Sequence, residues 1–233
     1  MTVKQQNPTL IEEERLRLLG YSRIAGIDEA GRGPLAGPVV AAAVILPEML
    51  PSWLGLVRDS KLLRPESREI IFEHMKQDSV PFGVGIVSHR VIDQHGIMVA
   101  LRLAMRIAVQ QLPFSPDFLL IDFVKLPEVS LPQKNITDGD ALCASIAAAS
   151  IVAKVTRDHL MVLYDRQYPD YGLGQHKGYH TPEHLACLQR MGPCPIHRKS
   201  FDPVRSMFYE TQSEAVLFPE VSKRSPRRQA ARS

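Results

Sequence analysis

Two short apolar runs, RIAGID at 23–28 and VVAAAVILP at 39–47, stand on either side of EAGRGPLAGP, a stretch punctuated by glycine and proline. Runs of this length between breakers favour strands over helices. The pattern recurs at FGVGIV (82–87) and DFLLID (117–122). Elsewhere the period changes. EEERLRLL (12–19) predicts a short charged helix that stops at Gly20, and PESREIIFEHMK (65–76) an amphipathic helix with Pro65 in its first turn. Residues 90–112 place Val91, Ile92, Met98, Val99, Leu101, Leu103, Met105 and Ile107 on a broad helical face. Residues 141–167 are Ala-rich and free of Gly and Pro, which predicts one long helix, well buried in its first half. TPEHLACLQR (181–190) opens with an N-cap Thr and a Pro at the first helical position. Strands first, then alternating helices and strands, predict an α/β chain with a mixed sheet flanked by helices and a C-terminal helical portion alongside.

The chain has 233 residues, 45% apolar and 23% charged, enough to build a core and too apolar for global disorder. Collagen and coiled coil are excluded. No apolar run approaches the ~18 residues of a membrane span, and the polar N-terminus lacks the apolar segment of a secretory signal. A cytoplasmic chain without membrane contact is expected. Cys143, Cys187 and Cys194 are odd in number and contain no C-x-x-C pair, which supports neither a disulfide framework nor a cysteine zinc site. Of the net charge of +3, residues 219–233 carry +4 (Lys223, Arg224, Arg227, Arg228 and Arg232 against Glu220), leaving −1 on residues 1–218. Such a tail either solubilises the chain or adds sequence-independent phosphate affinity.

Acids close two of the expected strands, Asp28 and Glu29 after RIAGI and Asp122 after DFLLI, while Asp138 and Asp140 sit in TDGD before the long helix. Singly, these are ordinary turn and helix-entrance residues. Together they can converge on one edge of a sheet, where several carboxylates repel one another until cations neutralise them. Hard divalent ions, Mg²⁺ or Mn²⁺, suit oxygen donors, and two of them about 4 Å apart form a clamp for in-line phosphoryl transfer. In DEAGRG the acid pair runs into Gly31 and Gly33, which let backbone N–H groups approach a ligand, and Arg32, whose fork suits phosphate. No G-K-[ST] follows, so this is not a P-loop. HKGYHTPEH (176–184) and HRKSF (197–201) add cations and rings, and Tyr179 can stack on a sugar or base; read blandly, the first is a polar loop before a helix. His176, His180, His184 and His197 lack zinc-site spacing.

IAGIDEAGRGPLAGPVVAAAVILP resembles the signature of the type 2 ribonucleases H, ribonuclease HII. The resemblance continues through DSKLL (59–63), LLID (119–122), GDALCASIAAASIVAKVTRD (139–158), YGLGQHKGYHTPEHL (171–185) and PIHRKSFDPV (195–204), covering about residues 20–208. It implies an RNase H-like fold: a mixed five-stranded sheet flanked by helices, with a C-terminal helical extension. Residues 21–210 would form the catalytic domain, 1–20 a helical lead-in and 211–233 a disordered basic tail. The family's metal-binding carboxylates fall on Asp28, Glu29, Asp122 and Asp140. Phe123 stands where the family has Gly, and Asp138 replaces a usual Lys, removing a cation. Asp158 reads as an ion-pairing helix residue.

Reading of the DNA–RNA junction falls, by the same resemblance, on Gly31, Arg32, Gly33 and Tyr179, and phosphate contact on Lys61, Lys177 and Arg198. The 2′-OH is what separates RNA from DNA at such a site. The implied activity is hydrolysis of the RNA strand of RNA–DNA hybrids, and cutting 5′ of ribonucleotides embedded in duplex DNA, using two Mg²⁺ or Mn²⁺ ions, by a monomer whose partner is nucleic acid. Two other classes stay open on the residues alone: a non-catalytic nucleic-acid-binding module, and a metal-dependent nuclease of other specificity. The related type HIII enzymes carry an extra N-terminal domain; about 20 residues precede the first expected strand here, which favours HII.

Overall fold

A computed structural model describes residues 7–58, 60 and 63–208. The two opening apolar runs form β1 (Ile24–Ala30) and β2 (Val39–Ile45), antiparallel, with Gly26 opposite Val44 and Asp28 opposite Ala42. β3 (Phe82–Val87) joins β2 antiparallel. On the other side of β1 lies β4 (Phe118–Asp122), parallel, with Ile27 beside Ile121; β5 (Gln133–Ile136) continues parallel to β4. The order is β3-β2-β1-β4-β5. Every residue of β2 is buried, as expected of a strand covered on both faces.

The helices are α1 (Ile11–Leu18), α2 (Pro65–Gln77), α3 (His89–His95), α4 (Ile97–Gln110), α5 (Gly139–Leu142), α6 (Ala144–Gln167), α7 (Leu173–His176) and α8 (Pro182–Met191). Side chains alternate across the sheet. Ile27, Ala41, Ala43, Leu119 and Ile121 pack on Leu101, Ala104, Met105 and Ala108 of α4. Ala42 and Val44 pack on the opposite face against Ile71 and Met75 of α2 and Ala148, Ile151 and Val152 of α6. α6 lies so close to β1 that a Cβ on Gly26 would stand 2.2 Å from the Ser145 carbonyl carbon, so the alanines of α6 and the glycine of β1 make one fitted contact.

Three details differ from the sequence reading. The helix expected over 90–112 is two helices, divided at Gly96, whose φ of 81° leaves the right-handed helical region. The long helix starts at Ala144 rather than 141, because Cys143 is extended and the preceding turn, α5, is separate. β5 was not anticipated from its residues: QKNI is four residues long, polar and partly exposed, with no apolar alternation. The expected basic tail, 211–233, lies outside the described residues. Among those described, no helix is long and apolar enough to cross a membrane.

Candidate active site

The sheet register brings the first acids together. Ile27 pairs with Ile121, so Asp28 and Asp122 take the next step along two parallel neighbours. Asp28, Glu29 and Asp122 each offer an oxygen, all within 4.8 Å of one another. Asp28 is 4% exposed. Burial first, then the charges of Glu29 and Asp122, push its carboxyl well above the usual range, against the Glu29 N–H (2.7 Å) and the Ser150 hydroxyl, which favour the anion. A crowded set of carboxylate oxygens that resists ionisation on its own fits a divalent metal ion. Asp140 does not join this group. It is buried in α5, 4% exposed, one residue beyond Gly139, whose N–H donates to Asp122 (2.8 Å). Exposed Asp138 lines the cleft instead.

Above the acids the loop 31–38 is tied down by two buried arginines. Arg157 donates to the carbonyls of Pro38 (3.0 Å), Ala36 (3.1 Å) and Lys177 (3.0 Å). Arg198 donates to those of Gly37 (3.1 Å), Arg32 (2.9 Å), Gly31 (2.6 Å) and Pro38 (3.2 Å). This corrects the expectation that Arg198 contacts phosphate: its side chain is fully buried and its fork is committed to the loop backbone. Burial, with Arg157 close by, pushes the Arg198 pKa down to about 9, so it stays charged at neutral pH. Gly31 has φ +95°, and a Cβ there would stand 2.1 Å from Arg157 Nε; a Cβ on Gly33 would meet nothing within 4 Å.

The cleft over the acids, about 380 Å³, is lined by Gly31, Arg32 and Gly33 on one side and by Tyr179 and Lys154 among others. Tyr179 is 40% exposed, with Lys154 Nζ and Arg157 Cζ each 5.7 Å from its ring centre. Arg32 pairs with Glu29 (3.3 Å). Lys177 is not a cleft residue: its Nζ donates to the Gly174 carbonyl, and it borders a separate hollow with Arg68, Asp158 and His159. Lys61 lies outside the described residues.

Several supporting residues were missed. Ser150 and Lys154 stand four apart on α6, with Asp158, read above as ion-pairing, four further on, and that polar stripe was the signal available. Ser150 meets Ser60 (2.6 Å), Arg68 binds the Ser60 carbonyl (2.8 Å), and Asp158 pairs with Lys154 (2.7 Å) and Arg68 (3.7 Å), as its ion-pairing reading expected. Glu13 of α1, 1% exposed, accepts from the Ser145 N–H (2.8 Å) at the start of α6 and faces the Cys143 thiol (3.1 Å), which burial and then this carboxylate hold far above its ordinary pKa. Thr9 exchanges backbone bonds with Leu142 (3.0 Å) and Ala144 (2.9 Å). The N-terminal segment thus braces the junction behind Asp140, which no local pattern discloses.

Carboxylates at the ends of adjoining parallel strands, with an amide-bearing loop and cations around them, define a metal-dependent nuclease of the RNase H-like class. A family model described as ribonuclease HII matches residues 25–204, and the chain belongs to that family. A ribonuclease HII of Dehalococcoides mccartyi is 54% identical over 202 residues, covering 86% of this chain and 96% of the relative. The crystal structure of ribonuclease H2 from Pyrococcus horikoshii superposes with a TM-score of 0.69 at 26% identity, over 82% of this chain and 99% of that one. An Archaeoglobus fulgidus RNase HII, solved as a complex with PCNA, gives 0.63 at 25% identity, over 79% of this chain and 96% of that one. The protein is a metal-dependent endonuclease with ribonuclease H activity, acting on nucleic acid.

Proposed function

We propose that the cleft cuts the RNA strand of RNA–DNA hybrids, and cuts duplex DNA on the 5′ side of embedded ribonucleotides, leaving 3′-OH and 5′-phosphate ends. The observation that carries this reading is the three-carboxylate group at the ends of β1 and β4, within 4.8 Å, under the Gly31–Gly33 loop. Asp28, Glu29 and Asp122 are the metal ligands, and Asp140, next to the Gly139 amide bound to Asp122, is the fourth. Two Mg²⁺ or Mn²⁺ ions held there supply Lewis acidity toward the phosphate and lower the pKa of water. Water oxygen bonds to phosphorus, the P–O3′ bond breaks, and the departing 3′-oxygen takes a proton.

The remaining roles belong to the chain. Backbone groups of Gly31 and Gly33 lie where the ribose 2′-OH is read, and the Tyr179 ring packs on the sugar; a deoxyribose would leave polar groups without a partner. Arg32 and Lys154 are the cleft cations for phosphate. Lys61 is a further phosphate contact. Residues 21–210 act as one catalytic unit, with 1–20 leading in and 211–233 as a basic tail. The three free cysteines agree with a reducing, cytoplasmic setting. The protein acts as a monomer.

The test is the Asp28→Asn variant on a duplex with one ribonucleotide. Cutting is expected to vanish while duplex binding persists; a near-normal rate contradicts the ligand assignment. Tyr179→Ala is expected to slow cutting at a lone ribonucleotide more than it lowers the melting temperature, and an unchanged rate removes Tyr179 from junction reading.

A further inference from the structure

Phe123 follows Asp122 directly and lines the same cleft. Its φ is +57°, a left-handed conformation that is a genuine outlier for a bulky residue. Two backbone bonds fix it there: its N–H donates to the Ile136 carbonyl (3.2 Å), and the Val124 N–H to that of Asp122 (2.6 Å). The ring gains no burial in return, being 57% exposed. Its polar company is Arg32, whose guanidinium carbon lies 5.4 Å from the ring centre. Tyr179, in the same cleft, also has an exposed ring with cations beside it. The carboxylates are therefore accompanied by two exposed aromatic faces, each with a positive group at hand.

We propose that Phe123 is a specificity-determining contact of this enzyme. Its ring, with Arg32, forms a second aromatic platform for the sugar of a nucleotide flanking the scissile phosphate, since the bases of the duplex are stacked on one another. Strained backbone held beside a catalytic group is a common mark of a built site. Exposed aromatic faces with cations beside them are a recurring surface for sequence-independent contact with nucleic acid, best known on single strands. The inference rests on the reading of the cleft as the nucleic-acid site. It adds to that reading a contact on the Asp122 side, independent of Tyr179.

Phe123→Gly is a clean test because glycine adopts φ +57° without strain, so folding should not suffer. Steady-state cutting of a fluorescein-labelled DNA duplex with one ribonucleotide is measured in Mn²⁺ beside thermal melts. Phe123→Gly is expected to melt no lower than wild type and to raise KM about tenfold, the scale of one lost aromatic contact to a nucleotide, with the larger share of the loss in KM rather than kcat. Phe123→Tyr is expected to restore KM; Phe123→Leu, which keeps apolar bulk without a π face, is not. A KM for Phe123→Gly or Phe123→Leu within about twofold of wild type, on a wild type that cuts normally, overturns the platform alone. A wild type that does not cut the duplex overturns the platform together with the reading beneath it.

Discussion

The Nε2 atoms of His184 and His197 lie 2.9 Å apart, between two fully buried rings. Their neighbours fix which nitrogen carries each proton. His197 Nδ1 lies 2.9 Å from the Cys194 N–H and 3.2 Å from the Cys194 carbonyl, which already accepts from the His197 N–H (3.0 Å); the assignment that satisfies every group has Cys194 N–H donating to Nδ1, His197 Nε2 donating to His184 Nε2, and His184 Nδ1 donating to the Tyr179 carbonyl (2.8 Å). Only the doubly neutral pair makes this chain of bonds, and it ends on the backbone of the cleft tyrosine.

Acid is therefore expected to weaken the fold. Burial first lowers both pKa values to about 4; for His197 the neighbouring His184 adds to this, and for His184 the facing His176 and His180 oppose the charge. The unfolded chain binds these protons near pH 6.5, so stability is full above that value and is lost as pH falls toward 4, by about 1.4 kcal/mol per unit for each ring. Urea midpoints measured across this range should be flat above it and fall within it. Histidine NMR signals should show two rings that do not titrate above about pH 5. Two rings titrating at ordinary values contradict the neutral chain.

The crowded acids make a second prediction. Asp28 is held above its ordinary pKa by burial and then by Glu29 and Asp122, so its ionised form opposes folding at neutral pH. Asp28→Asn in chelator is expected to be more stable than wild type, and Mn²⁺ should stabilise wild type far more than the variant. A variant less stable than wild type in chelator would show that the anion supports the fold.

Arg198 should behave as a structural residue. Arg198→Met removes a donor from four backbone carbonyls of loop 31–38, of which only Pro38 keeps another among the described residues, Arg157. At about 1–3 kcal/mol for each buried group left unsatisfied, the loss should exceed about 3 kcal/mol by urea unfolding. Arg198→Lys, which cannot reproduce the fork, should recover only part. A Met variant within about 1 kcal/mol of wild type would mean that the loop holds without it.

The two glycines of the loop should separate. Gly31→Ala meets a positive φ and Arg157 Nε at 2.1 Å, and should destabilise the protein. Gly33→Ala meets nothing within 4 Å and should keep its stability within about 0.5 kcal/mol of wild type, yet raise KM for a ribonucleotide-bearing duplex if the ribose is read there as proposed. Equal effects of the two on stability would contradict this division.

What the sequence disclosed follows from how local each signal is. Strands β1 to β4 and the helices α2, α6 and α8 announce themselves by breakers, periodicity and caps, and Asp28, Glu29 and Asp122 by their places at strand ends. β5 is short and polar and gains its pairing from β4 alone. Glu13 reaches Ser145 across 132 positions, and Arg198 reaches Gly31 across 167; no window of sequence contains both ends. Arg198 was misread for that reason: a cation in a polar segment looks exposed until the carbonyls it binds are folded around it. Phe123 and Asp140 were each noted as single residues, but the exposure of one and the burial of the other come from the β4 and β5 loops.

The central claim is that the acids of β1 and β4 make this a nuclease that recognises a ribonucleotide. Its most direct test compares an all-DNA duplex with the same duplex carrying one ribonucleotide, with Mn²⁺ and with chelator, mapping the ends to the nucleotide. Cutting is expected only with metal, only on the second duplex, and on the 5′ side of the ribonucleotide. Equal cutting of both duplexes, or cutting that survives chelator, would contradict the account.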